Sequence, residues 1–317
     1  MAHLTDSDRG QIIIVAAFAL GVIFIALAVV VNTAIFTGNL ATRGQGTSDD
    51  DALQYRHEIE QSVGTVITEI NRQHDGNDST HLKNWAKENV TEINIQGGRQ
   101  KATNGRVATI DYASMKNGTR FVNESGDFTG DTTDPTTWQV ASDVSNTRAL
   151  KFTITDRTAL AGSSNAFTLS LNGSNDNYWN MTLFNPSGNR VNVTVSNGDG
   201  EVASCTRSGS GSLEVAVTSG LVDGRPCSAL TVSGDRDMWF GSGISAPYNI
   251  TYDNADEIEG DYEGVVDNGL NEANLPSISG PSSKSNAAIY SLNVSYSYET
   301  VSMRYETNVR VAPGEPE

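Results

Sequence analysis

The stretch YWNMTLFNPSGNRVNVTVSNGDGEVASCT, residues 178–206, sets the fold class. Apolar and polar residues alternate through Tyr178–Phe184, Arg190–Val195 and Glu201–Thr206. That is the period-2 signature of strands with one buried face. Between them stand Pro186-Ser187-Gly188 and Asn197-Gly198-Asp199-Gly200, residue types that favour tight turns. Short strands joined this closely are antiparallel neighbours.

The same texture extends in both directions. Arg106–Tyr112, Thr137–Ala141, Ala149–Thr155, Ala166–Leu171, Leu213–Thr218 and Ser228–Ser233 read as further strands, with Asn172-Gly173 as another turn. So many short strands predict an antiparallel β-sandwich-like domain over residues 106–317. Residues 276–285, Pro-Ser-Ile-Ser-Gly-Pro-Ser-Ser-Lys-Ser, read as a flexible loop. Two closing strands follow, Ala287–Tyr298 and Ser302–Val311. Their Tyr290, Tyr296, Tyr298 and Tyr305 suit half-buried sheet faces, and the pair is expected to return beside early strands.

Upstream the period changes. Ser48-Asp49-Asp50-Asp51 reads as a capped helix start with acids in its first turn. Leu53, Arg56, Ile59, Val63, Val66, Ile67 and Ile70 follow at helical spacing, to about Arg72. The Asp75–Asp78 loop ends this helix, and a second opens near Ser79 or Thr80, carrying Leu82, Trp85, Val90 and Ile93. Residues 47–105 are therefore an amphipathic helical stalk region, whose apolar stripes pair, lie on the β domain or meet a neighbouring subunit.

No charged residue occurs between Arg9 and Arg43, and Ile12–Val31 is an unbroken apolar run of 20 residues. At about 1.5 Å per residue such a run crosses about 30 Å of hydrocarbon. It exceeds the roughly 7–15 apolar residues of a secretory signal. Residues 11–46 are read as a transmembrane helix and its exit, giving an α+β, single-pass membrane protein.

Charge excludes some partners. Asp and Glu number 38 against 21 Lys and Arg, a net charge of -17, and only six of the cations are Lys. Such a surface repels nucleic acid. Two explanations stand: adaptation to high salt, and a surface made for a cationic partner. The two cysteines, Cys205 and Cys227, both fall in the β-rich part and are read as one disulfide in an exported domain, against two buried thiols. Asn77, Asn89, Asn117, Asn123, Asn172, Asn180, Asn192, Asn249 and Asn293 each begin an Asn-x-Ser/Thr sequon and are candidate glycosylation sites. Together with the cysteines they favour an extracellular C-terminal domain.

Catalytic patterns do not emerge. The four histidines, His3, His57, His74 and His81, all precede the β-rich part, so no His of that part completes a Ser-His-Asp or Cys-His site. HExxH, phosphate-loop and nucleophile-elbow motifs do not occur. The acidic cluster at residues 253–263 reads as a solvated loop, with oxygen ligation of calcium as its functional alternative. No cofactor is expected, and the chain reads as a non-enzyme.

Asp8-Arg9-Gly10-Gln11-Ile12 is a short polar leader, a basic residue, a glycine and a glutamine before a long apolar helix. This resembles the leader (class III signal peptide) of type IV pilin-like proteins. In those proteins a prepilin-type peptidase cuts after the glycine and leaves the apolar helix on the mature chain. The resemblance implies cleavage at Arg9-Gly10-Gln11, a 1–10 leader peptide and a mature start at Gln11. The glutamate that bacterial type IV pilins usually carry four residues further on is here Val15. An uncut anchor is the alternative. The helix-then-sheet order, the leader, the acidic composition and the ending Met303–Glu315 resemble pilin-like surface proteins of salt-loving archaea, an uncharacterised haloarchaeal family. That resemblance implies a minor or accessory subunit of a type IV pilus-like filament. Its implied partners are the membrane, other pilin-like subunits and the pilus-like assembly machinery. A stand-alone anchored surface protein binding a glycan or envelope component is the second reading.

Overall fold

The structure is a computed structural model that describes residues 50–130, 132–174, 177–233, 236–268 and 283–316, together with Leu20, Phe24 and Leu27. The leader residues Arg9, Gly10 and Gln11 lie outside the described residues, as does the apolar run apart from those three. Leu20, Phe24 and Leu27 are helical and more than half exposed. Among the described residues no helix is long and apolar enough to cross a membrane.

Helix α1 covers residues 50–73. Its buried Ala52, Tyr55, Ile59, Val63, Ile67 and Ile70 recur every three or four residues, which places them on one stripe. Helix α2 (Ser79–Ala102) starts where the Asp78 carboxylate accepts from the Thr80 and His81 amides, and it ends with Arg99 and Lys101 in its last turn. Sixteen strands follow among the described residues. They are β1 (Val107–Asn123), β2 (Trp138–Val144), β3 (Thr147–Ile154), β4 (Phe167–Asn172), β5 (Tyr178–Phe184), β6 (Arg190–Asn197), β7 (Val202–Ser208) and β8 (Leu213–Ala216). Then come the two-residue β9 (Leu221–Val222), β10 (Arg225–Pro226), β11 (Val232–Ser233) and β12 (Arg236–Asp237). The last are β13 (Tyr248–Asp253), β14 (Gly260–Val266), β15 (Ser283–Glu299) and β16 (Arg304–Val311).

Two antiparallel sheets organise the chain. One has six strands in the order β2-β13-β4-β5-β6-β7, and the other has eight in the order β10-β9-β8-β3-β14-β1-β15-β16. The six-stranded sheet packs on the β8-β3-β14 side of the larger one, forming the expected sandwich. Phe128 sits at its centre, with ring centroids 5.5 Å from Phe152, 5.6 Å from Phe167 and 4.9 Å from Tyr262. Tyr252 and Tyr262, from opposite sheets, meet edge-on at 5.4 Å. The other end of the large sheet is covered by helices. Val63, Ile67, Leu82 and Val90 pack on Ile110, Ile289, Tyr296 and Val309. Both apolar stripes thus face the sheet, and α1 and α2 share a core with β1, β15 and β16.

The closing strands do return to the start of the sheet. β15 pairs with β1 along nearly its whole length, from Val107↔Glu299 to Asn123↔Ser283. Two irregularities break this ladder, one at Ala113 of β1 and one at Tyr290 of β15. Each extra residue shifts the face on which later side chains fall. Hence Ile289 and Leu292, of opposite parity, both face the helices, while Tyr290 turns to the other side with Ala288 and Val265.

Three expectations are corrected. Residues 228–231 form turns rather than a strand, and only Val232–Ser233 is extended. The acidic stretch 253–263 is not one loop, because β14 occupies its second half as a central strand with Tyr262 buried. The segment read as a flexible loop over residues 276–285 lies mostly outside the described residues, and its end is already strand from Ser283.

Candidate functional site

An open groove of about 870 Å³ runs between α2 and β1. On α2, Ser79, Lys83, Lys87 and Thr91 stand four residues apart, so they stack on one face. The floor is β1 around its bulge. Because Ala113 opposes no residue of β15, Tyr112 and Met115 both turn toward the helical core and close the groove from beneath. Lys87 Nζ stands 5.3 Å from the Tyr112 ring centroid. Burial raises the Tyr112 phenol above its ordinary pKa. Asp111 is the one acid lining the groove.

The two groove lysines differ from the chain's other four. Lys101 pairs with Glu58 at 3.5 Å, Lys116 with Asp267 at 2.7 Å, Lys151 with Glu214 at 3.8 Å and Lys284 with Glu124 at 3.7 Å. Lys83 and Lys87 have no carboxylate within ion-pair distance among the described residues, in a chain of 38 acidic residues. Two like charges one helical turn apart repel slightly, by about 0.2–0.5 kcal/mol. Sequence reading passed over this pair. The available signal was two lysines at i and i+4 on the polar face of a helix in a lysine-poor chain.

A second polar constellation joins the two halves of the large sheet. Arg148, at the start of β3, is 2% exposed. Among the described residues its guanidinium has no carboxylate partner but donates to three carbonyls, Tyr290 O at 2.7 Å, Ile289 O at 2.7 Å and Pro313 O at 2.8 Å. The bulge at Tyr290 leaves these strand carbonyls facing away from the β1 ladder. Beyond the end of β16, Asn71 caps the same edge, donating to Ile289 O and accepting from Ile289 N. Burial lowers Arg148 to about 10, which leaves it charged at neutral pH. Tyr290 Oη donates to Glu315 at 2.7 Å, and Arg310 holds the same carboxylate in a two-pronged pair. The Arg310 hydrogen bonds hold Glu315 below the ordinary carboxylate pKa, against its partial burial. Gly314, at φ 74°, lets the C-terminal turn lie against Ala149, whose amide donates to Gly314 O at 2.7 Å. These contacts are internal and read as a structural joint.

The expected disulfide is present: Cys205 and Cys227 are bonded, with Cα atoms 5.7 Å apart. It ties β7, an edge of the six-stranded sheet, to the residue after β10, an edge of the eight-stranded one. Arg207 supports the same edge, donating to Val222 O, Arg225 O and Pro226 O.

The sequons fall in unlike places. Asn77, Asn117 and Asn172 are exposed, and Asn89, Asn180, Asn192, Asn249 and Asn293 are half-buried. Asn123 is 1% exposed and its amide donates to Asp127 O and Gly260 O, so a glycan there does not fit the folded chain. Three sequons share one origin. In Asn180-Met181-Thr182, Asn192-Val193-Thr194 and Asn249-Ile250-Thr251 the apolar middle residue is buried and both flanks face outward. The alternation of a half-buried strand writes this pattern unaided.

The acidic residues of 253–263 are spread over β13, a short 3₁₀ turn (Ala255–Glu257), an isolated bridge of Glu259 to Asp127 and β14. Glu263 there pairs with Arg120 at 2.9 Å. Among the described residues no group of three His, Cys, Asp or Glu is placed to hold a metal ion. His57 lies on exposed α1 surface beside Glu60, while His74 is buried and stacks on His81 at 5.7 Å. Burial, and then the nearby His81, lower the His74 pKa below 6.5.

A protein-family model described as a family of unknown function (DUF7261) matches residues 6–126. The match begins before the apolar run and ends just past β1, so it covers both helices and the groove. No curated protein and no solved structure matches the chain.

Proposed function

We propose that this chain is a membrane-anchored, extracellular, non-enzymatic pilin-like protein, a minor or accessory subunit of a type IV pilus-like filament in a salt-loving archaeon. The observation that carries the reading is the order Arg9-Gly10-Gln11 followed by the uncharged run Ile12–Val31. Two features of the fold support it. The first described helix after that run, α1, is built into the core of the head, so a pull on the anchor bears directly on the large sheet. The disulfide suits a head on the oxidising side of the membrane.

The mechanism is physical. In the bilayer the apolar helix stores the subunit. After cleavage at Gly10, apolar helices of many subunits pack together and exclude water, and the β-rich heads remain outside. The mass of the N-terminal peptide from native membranes tests this. A mature start at Gln11 is expected, and a chain starting at Met1 or Ala2 would overturn the pilin-like reading. The second reading, a stand-alone anchored surface protein, is favoured by one observation: the groove, with two lysines that meet no carboxylate among the described residues, is a binding feature that filament packing does not require.

A further inference from the structure

We infer that the groove between α2 and β1 binds an anionic saccharide, with an acid group of the sugar seated between Lys83 and Lys87. The inference does not depend on filament membership, because a subunit head and a lone receptor use such a site alike.

Unpaired charge is the first argument. Four of the six lysines have found carboxylates, and the two that meet none among the described residues line the same groove four residues apart. Together they leave a local excess of one positive charge over Asp111 in a chain of net charge -17. An anion entering here offsets the repulsion between the lysines, which no ion pair among the described residues offsets.

The lining narrows the anion. Around the two ammonium groups stand hydroxyls and an amide, among them Thr80, Thr91 and Asn117. These groups donate and accept hydrogen bonds as sugar hydroxyls require. A polyphosphate or nucleic acid carries a charge at every unit and needs many more cations than this groove offers. One acid group among several neutral hydroxyls matches two lysines among several neutral polar groups. Lysine's compact ammonium suits a single carboxylate or sulfate ester. The space also fits, since about 870 Å³ lies inside the roughly 300–1,000 Å³ of small-molecule sites.

The test uses the full-length protein in detergent micelles, with sialyllactose as a probe carrying one carboxylate and lactose as a neutral one, by titration calorimetry. Saturable binding of sialyllactose is expected, with none of lactose. The double variant Lys83→Glu/Lys87→Glu should weaken binding by about ten-fold or more, and Lys83→Gln/Lys87→Gln by less. Lys151→Glu/Lys284→Glu makes the same charge change at lysines outside the groove and should leave affinity within about two-fold. Both groove lysines are exposed, so unchanged melting of the variants is expected. Absence of sialyllactose binding, equal binding of lactose, or equal loss in the two Glu double variants would overturn the inference. None of these outcomes bears on where the mature chain begins.

Discussion

One eight-stranded sheet carries two different covers, and the difference between its halves shows how the chain divides its labour. At the β8-β3-β14 end a second sheet lies on it, and the core of Val, Leu and Ile has a cluster of aromatic rings around Phe128 at its centre. At the β1-β15-β16 end two helices lie on it, and the core is built from Ile, Val, Leu and Tyr. The sheet-covered half is stapled at its open edge by a disulfide, while the helix-covered half has no further cysteine to use. The helix-covered half also follows the apolar run in sequence and carries the lysine groove. Thus the half nearer in sequence to the proposed anchor holds the candidate binding surface, and the other half carries the disulfide.

If Arg148 joins the halves, removing it is the severest test of this division. Arg148→Met keeps much of the side-chain volume but orphans Tyr290 O and Pro313 O and leaves Ile289 O with Asn71 as its remaining donor. At about 1–3 kcal/mol for each of the two carbonyls left unpaired, and about 1.5–3 kcal/mol for the charged hydrogen bond lost at Ile289 O, the loss should reach at least ~3 kcal/mol in denaturant unfolding. Amide exchange should quicken most around Ile289 and in α1, whose Asn71 caps the same edge. A loss below about 1 kcal/mol would mean that water replaces the guanidinium freely and that Arg148 is no joint.

The staple comes next in size. Cys205→Ala/Cys227→Ala opens a covalent loop with a sequence separation of 22 residues, which should cost about 3 kcal/mol. Its effect sharpens the comparison. If the halves unfold as one unit, the helical signal and the aromatic signal should fall together at the same lowered midpoint. Two separated transitions, with the helical one unmoved, would show that the staple serves the sheet-covered half alone.

Both halves were legible in sequence to different depths. The stripe of α1 and the short strands from β2 to β8 stand out because one period runs through each of them. The return of β15 to β1 followed from the need to close the sheet. β1 was read only to Tyr112, because the bulge at Ala113 and then Gly118 break its alternation. Gly118 is needed there, since a Cβ would lie 2.5 Å from Val266 O. β14 was hidden because Asp261 and Glu263 take its outward positions, so a central strand read as an acidic loop. The Arg148 joint left no local pattern, for its acceptors lie 141 to 165 residues away along the chain. The same holds for the groove. That Lys83 and Lys87 meet no carboxylate among the described residues emerges only once those residues are placed in space.

The smallest expected effect belongs to the helix-covered half and has a definite sign. His74 is buried at the end of α1, against His81 and near Asp75 and Asp78. Its folded pKa lies below 6.5, with burial the larger cause and His81 the next. In the unfolded chain the ring takes up its proton near the ordinary value, so below that pH the unfolded state binds more protons than the folded one. Stability should therefore drift down as pH falls from about 7.5 to about 5.5, and the drift should cease once the pH passes below the folded pKa. Carboxylates held below their ordinary range, such as Glu315, do not titrate in this window, so they leave the slope to the histidines. His74→Gln should flatten it. Chemical denaturation of both proteins at the two pH values measures the difference. A slope unchanged by the substitution would show that the ring finds water in solution, and that this end of the helical cover is looser than its packing indicates.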